Sequence, residues 1–414
     1  MINNYIEKNI FYLLLFLPIA IIVGQLVSTS CIIIICVSFL FLSLIKNDWS
    51  WINDKYTKIL LILYAYLIFN SLIASDHSLS LARNLGFLRY IILIAAIRFI
   101  LADSKNRNLI ANAWLIIILI VSFDIYYEFT FKQNILGFKS IYADRITSFF
   151  KDEAVVGGYL LAFLLIILGF IFEKKIKIFE KYGLIKFIVI SILISSIIIT
   201  GERSNTIKMI IGLLFFFAFI KNISYKKKFI YLLLLISILS TLIYFIDDLR
   251  VRYYLQIFNQ INSQEKIKTY KDNNMYFKHY SAAYEIFKIN PLFGVGNKNF
   301  GKSCFANKEI HLKKGICSTH PHQIYFELLS EHGIIGAFII IGLIFYIVFL
   351  NIKSFIKFRN YIHLGTIIFI FLSFLPIIPG GAFFGNSFST LFWLNFSFML
   401  GIEKIASFKN DNKI

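Results

Sequence analysis

Two histidines, His320 and His322, close a long polar stretch and stand just before an apolar run that opens at Gly333. Imidazole changes charge near neutral pH, and in its neutral form it takes a proton from a hydroxyl. The rest of the chain is overwhelmingly apolar, so a pair of such groups beside Gln323 marks a candidate site of proton transfer. A single histidine is more often held by a structural hydrogen bond. His322 gains from Gln323 and the glycine-led run that follow it, whereas His320 reads as a supporting residue and His332 as interfacial.

Arginines form the second set. Thr200-Gly201-Glu202-Arg203-Ser204-Asn205 is a tight connection between two apolar runs, and Asp144-Arg145-Ile146-Thr147 leads through Gly157-Gly158 into another. Arg83 and Arg89 flank the start of an earlier run. A guanidinium binds phosphate oxygens bidentately; the alternative is an arginine that snorkels to lipid headgroups. The stretch Pro291-Leu292-Phe293-Gly294-Val295-Gly296 is open to two readings, a phosphate-cradling nest or a plain turn. Cys304 and Cys317, thirteen apart, are either a disulfide or two free thiols, while Cys31 and Cys36 lie in an apolar run as packing residues. No CxxC spacing occurs, so a zinc site is not expected.

What positions these residues is a membrane. Of 414 residues, 58% are hydrophobic and 16% charged, far from the balance of a water-soluble domain. Apolar runs near 10–28, 31–45, 59–74, 87–101, 109–127, 154–173, 184–200, 206–220, 229–246, 333–351, 364–378 and 388–402 are each expected to cross a bilayer core of about 30 Å as a helix. The first run carries no small-residue cleavage site and another follows at once, so it reads as a retained span. The net charge of +19 is spread over alternate short loops, among them Lys46, Lys55 and Lys58, Lys174–Lys181 and Lys353–Arg359. This alternation places both termini in the cytoplasm and makes anionic lipids, not nucleic acid, the partners of the charge.

The outward segments are then about 75–86, 128–153, 201–205, 247–332 and 379–387. The chain divides into nine spans over 1–246, a large periplasmic loop over 247–332, and three spans over 333–414. Residues 274–287 have apolar side chains at helical spacing and are expected to form a helix on the membrane surface, ended by Asn290-Pro291. A loop of this length in a compact membrane protein is usually functional.

With these elements in place, the chain resembles the O-antigen ligase family, which shares its core with the O-antigen polymerases. The resemblance rests on the outward turn Arg203-Ser204, on Pro291–Gly296 as the P-L-x-G-x-G element, and on His322-Gln323-Ile324-Tyr325-Phe326 followed by Gly333-Ile334-Ile335-Gly336. It is strongest over about 185–350. It implies an all-α, GT-C-like polytopic protein of about twelve transmembrane helices in the bacterial inner membrane, with a periplasmic active site. It further implies a metal-independent, inverting glycosyltransferase without cofactor. The donor would be a glycan on undecaprenyl diphosphate, and the acceptor a hydroxyl of lipid A-core or another glycan.

Carried over residue by residue, the family's catalytic histidine falls on His322 and the arginine of its turn on Arg203. Arg145 matches the arginine that precedes the sixth span. Arg83, Arg89, Ser204, His320 and Gln323 complete the expected binding set for diphosphate and sugar. The chain departs from the pattern where many members carry an arginine and a tryptophan upstream of P-L-x-G. It has Met275, Tyr276 and Tyr280 there, which leaves Lys278 or His279 as the loop's cation. His322 and Arg203 are expected to face one another across an outward cavity. Two other functions compete: a polymerase that joins two lipid-linked glycans, and a transporter of polysaccharide or lipid. Against transport stand the absence of a visible repeat and the scarcity of charge within the spans.

Overall fold

The computed structural model describes residues 2–142, 144–173, 183–221, 224–256, 275–307, 309–310 and 315–411. All regular structure among them is helical. The helices are α1 (Ile2–Val23), α2 (Gln25–Lys46), α3 (Lys55–Leu72), α4 (His77–Leu85), α5 (Leu88–Leu101), α6 (Ser104–Phe131), α7 (Val156–Phe172) and α8 (Gly183–Ile199). They continue with α9 (Arg203–Phe219), α10 (Tyr225–Phe245), α11 (Asp247–Arg250), α12 (Met275–Ile289), α13 (Phe300–Ala306), α14 (Ile324–Phe358), α15 (Tyr361–Ser373) and α16 (Asn386–Asp411).

Among the described residues, six helical stretches are long and apolar enough to cross a membrane: Ile2–Val23, Gln25–Lys46, His77–Leu101, Ser104–Phe131, Lys228–Phe245 and Ile324–Phe358. Shorter apolar helices cover Val156–Phe172, Ile185–Ile199 and Tyr361–Ser373. Each of the twelve expected spans falls on a helix, with boundaries moved. The first pair separates at Gly24 rather than near residue 29, and the serines beyond it stay helical, with the Ser28 hydroxyl donating to the Gln25 carbonyl at 3.2 Å. Outward apolar side chains such as Leu26 and Phe338 are at least 80% exposed, as a lipid solvent allows and water does not. The basic run Lys174–Lys181 and part of the expected large loop lie outside the described residues.

The core is built around α7, whose side chains are buried on almost every side. Apolar surface gains nothing from leaving lipid for protein, so membrane helices associate by close packing at small residues. Gly169 on α7 and Gly365 on α15 make that contact. A Cβ on Gly169 would lie 2.3 Å from the Ile362 Cα, and one on Gly365 2.1 Å from the Leu165 carbonyl oxygen. Side-chain caps fix where helices begin: the Asp54 carboxylate accepts from the amides of Tyr56 and Thr57, and the Asn360 amide oxygen from those of Ile362 and His363.

Away from this bundle, α12 and α13 share a small core of Ala282, Ala283, Ile286, Val295, Phe300, Cys304, Ile310 and Cys317. Cys304 and Cys317 are joined in a disulfide. The expected helix over 274–287 is α12, and it packs against α14 through Tyr280 stacked on Phe326 at 4.9 Å.

Candidate active site

The site is organised by a break in α14. Gly333 takes φ 66° and ψ −173°, which leaves carbonyls and amides around it without helical partners. The Pro291–Gly296 stretch supplies them. Val295 donates to the Ser330 carbonyl at 3.0 Å and Gly296 to the Glu331 carbonyl at 2.9 Å. In return Ile334 donates to the Pro291 carbonyl at 2.9 Å and Ile335 to that of Leu292 at 3.1 Å. Two backbones this close leave no room for a Cβ: one on Gly294 would lie 2.3 Å from the Glu331 carbonyl carbon, and one on Gly333 2.3 Å from that of Leu292. Of the two readings of these glycines, the structure selects the backbone turn, and their amides are spent on protein.

Two buried carboxylates complete this frame. Glu331 accepts from the amides of Lys298 and Phe300 at 2.8 and 3.1 Å, and Glu327 from those of Phe383 and Phe384 at 2.9 and 3.4 Å. His332, expected at the interface, is instead fully buried between Tyr66 and Phe384, because the break turns it inward.

The frame presents the histidines. Gln323 caps α14, its side-chain oxygen accepting from the amides of Tyr325 and Phe326, so that oxygen is committed to the helix. His322 has φ +60°, a left-handed conformation that β-carbon sterics disfavour. Gly380 holds it there by donating to its carbonyl at 2.8 Å. The His322 ring lies 4.0 Å from that of His320, 4.9 Å from that of His279 and 6.0 Å from Tyr276. His279 is fixed through Nδ1 on the Ile316 carbonyl at 2.8 Å. The two members of the pair differ. The Nε2 of His320 is enclosed without a partner and its Nδ1 faces the Thr319 hydroxyl, whereas neither ring nitrogen of His322 is enclosed or bonded among the described residues. Burial, with the nearby His279, pushes His322 down to about 4. Burial and the charges of His322, Lys298 and His279 push His320 down to about 3. Both rings are therefore neutral at physiological pH.

Beside them lies an arginine cluster. Arg203 opens α9 and donates to the Gln256 side chain. Arg252, just past α11, donates to the Gly201 carbonyl at 3.0 Å and to Asp144 at 2.5 Å. Arg203 and Arg252 lie within electrostatic reach of each other, and Arg145 and Asp144 within reach of both. The Nε donors of Arg145 and Arg203 are buried without a partner. The loop bearing Arg145 is tied down twice: Ile146 donates to the Thr200 carbonyl at 3.2 Å, and Asp124 and Glu128 on α6 accept from Ile135, Thr147 and Ser148. Glu202 braces the turn by accepting from Gly157 at 2.7 Å and Asn205 at 2.6 Å, and its burial pushes it up to about 7. Ser204 sits half-buried in the first turn of α9.

Tyr276 links the two clusters: it meets the His322 ring and lies within electrostatic reach of Arg252. His322 and Arg203 do not themselves touch. Arg83 and Arg89 stand elsewhere, both donating to the Asn386 side-chain oxygen, at 2.6 and 3.3 Å. Of the candidate residues, then, the structure gathers Arg145 with Arg203, and His320 with His322, and sets Arg83 and Arg89 apart. Sequence reasoning missed Arg252, Tyr276 and the frame carboxylates. The Arg250-x-Arg252 pattern just beyond a span was the available signal for the first.

Residues 187–341, which hold α9, the arginine turn, the Pro291–Gly296 stretch and the histidines, match the family model described as O-antigen ligase. The chain carries an O-antigen ligase family domain. No curated protein matches the chain. The family stretch takes in Arg203, Arg252, His279, His320 and His322, but leaves Arg145, Arg83 and Arg89 outside it. An enzyme of this family acts on glycan and lipid substrates in a membrane, in keeping with the long apolar helices.

Proposed function

We propose that the protein is an O-antigen ligase-like glycosyltransferase of the bacterial inner membrane. It moves a glycan from undecaprenyl diphosphate to a hydroxyl of lipid A-core or a similar acceptor on the periplasmic face. The observation that carries this reading is a neutral imidazole pair and the unspent guanidinium donor of Arg203 within the family stretch, joined by that of Arg145 just outside it. About twelve helices cross the membrane, both termini are cytoplasmic, and the stretch around 247–332 is periplasmic.

The anomeric carbon of the donor already carries its leaving group. Arg203, Arg252 and Arg145 receive the charge that develops on the diphosphate, in a partly desolvated setting where fixed cations act strongly. Three guanidiniums suffice for that charge without a metal. The acceptor hydroxyl gives its proton to His322 as its oxygen bonds to the anomeric carbon and the carbon–oxygen bond to the diphosphate breaks. Attack in line with the departing group inverts the anomeric centre. His320 and His279 hold the ring of His322 in place, and the aromatic ring of Tyr276 offers a face to a sugar.

The test is to supply purified protein with a lipid-diphosphate-linked glycan and lipid A-core. Joined product is expected. Product that forms only when a second lipid-linked glycan is the acceptor would reassign the protein as a polymerase, and no product with either acceptor would sink the reading.

A further inference from the structure

Lys208 lies on α9, five residues past Arg203, hence about 7.5 Å deeper along the helix. It is only 7% exposed, yet among the described residues no carboxylate lies within salt-bridge distance and no oxygen accepts from its ammonium. Its Nζ sits 3.6 Å from where a Cβ on Gly380 would stand, and Gly380 is the residue whose amide holds the His322 carbonyl at 2.8 Å. The segment around Gly380 is itself pinned to the catalytic frame. The Tyr325 hydroxyl donates to the Phe374 carbonyl at 2.7 Å and the Tyr280 hydroxyl to the Ile377 carbonyl at 3.4 Å.

An unpaired cation inside a membrane bundle is costly, and such a group persists where an anionic ligand completes it. We propose that Lys208 is a further binding residue for the lipid diphosphate: it takes the phosphate nearer the membrane while the Arg203 cluster takes the one nearer the sugar. This rests on the glycosyltransferase reading. The division of labour follows from the chemistry of the two side chains. A guanidinium fork suits the phosphate whose charge grows during transfer, and a compact ammonium suits a phosphate that only needs holding.

The experiment compares Lys208→Met and Lys208→Gln with the wild type, using undecaprenyl diphosphate as the probe in nanodiscs with and without phosphatidylglycerol. Both variants should bind the probe at least 10-fold more weakly and raise the donor KM to the same extent, with a smaller change in kcat. Because the lysine has no partner at rest, the unliganded Tm of either variant should stay level or rise. A variant that fails to fold, or melts lower with unchanged probe affinity, overturns the inference by making Lys208 structural. A variant that loses only its response to phosphatidylglycerol overturns it by making Lys208 a headgroup contact. Probe binding is read without transfer, so absence of transfer by the wild type sinks the proposed function separately.

Discussion

The molecule holds two clusters of arginines, and they are built on opposite principles. Arg145, Arg203 and Arg252 surround a single exposed-side carboxylate, Asp144, and two of the three keep a buried Nε without a partner. Arg83 and Arg89 share one amide oxygen on Asn386, and Arg83 lies within electrostatic reach of Glu327 and Glu331. The first group sets three cations against Asp144 and the buried Glu202. In the second, Arg83 has two carboxylates within reach and both guanidiniums share one protein acceptor, although Arg89 too keeps a buried Nε without a partner. Excess positive charge held in place is what a diphosphate requires; answered charge holds a frame together. The comparison separates Arg145 from Arg83 and Arg89, which the sequence alone placed in one binding set.

Breaking the histidine side of the first region should have the largest effect. His322→Ala removes the proposed base, and general-base help is worth about 10²–10⁴-fold. Transfer should fall by that factor while binding of the lipid diphosphate stays near wild type. His320→Ala should cost less, because its enclosed ring supports that of His322 at 4.0 Å. A larger loss in the His320 variant would exchange the two roles.

Next come the guanidiniums. Arg203→Lys and Arg252→Lys keep the charge but lose the planar fork, and each should lower kcat by about 10²-fold, on the scale of one lost donor to developing charge. Membrane levels of both variants should match wild type. If Arg252→Lys transfers normally while Arg203→Lys does not, Arg252 serves to position the Asp144 loop and the cluster shrinks to two members.

Much of this was legible in the sequence because membrane spans and short motifs are local signals. Twelve apolar runs found helices, and the helix over 274–287 was read from spacing alone. The disulfide was one of two readings, since thirteen residues of sequence do not say whether two sulfurs meet. What escaped was decided by long-range contact. Arg252 joins Arg203 only because the chain doubles back beyond α10. The glycines of Pro291–Gly296 looked like a phosphate nest or a turn until the break at Gly333 offered them partners. His332 read as interfacial because nothing near it in sequence announces that Tyr66 and Phe384 enclose it. The role of Asp124 and Glu128 escaped for the same reason: they are buried at the end of α6, and the backbone they hold lies a loop away.

A pH profile sharpens the contrast between neutral imidazole and charged guanidinium. In the unliganded protein His322 titrates at about 4, burial being the larger cause and His279 the second. As pH falls through that value the ring is protonated and the base is lost, so the acid limb of kcat/KM should lie well below the usual histidine value of about 6.5. A bound diphosphate brings negative charge that favours the protonated ring, so the acid limb of kcat should lie at higher pH. His279→Gln removes the neighbour that, after burial, lowers the His322 ring and should move the limb of kcat/KM upward. An acid limb of kcat/KM at about 6.5 in the wild type would mean that His322 is solvated in the working enzyme.

The smallest effects belong to the second arginine cluster, and they test the comparison most directly. If Arg83 and Arg89 only tie α4 and α5 to the start of α16 through Asn386, then Arg83→Lys should change donor KM by less than about 3-fold, the scale of one exchanged hydrogen bond. Its cost should appear as a lower Tm, because the ammonium places its donors differently around the same oxygen. Arg89 is the more sensitive member, since its guanidinium packs 4.6 Å from the Tyr90 ring centre and donates to the Tyr90 hydroxyl at 3.1 Å as well as to Asn386. Arg89→Lys should therefore lower Tm further than Arg83→Lys and still leave donor KM within the same range. Should either variant raise donor KM as much as Arg203→Lys lowers kcat, the second cluster also touches the diphosphate. The anion site would then extend past Lys298 to Asn386, and answered charge would no longer separate frame from site.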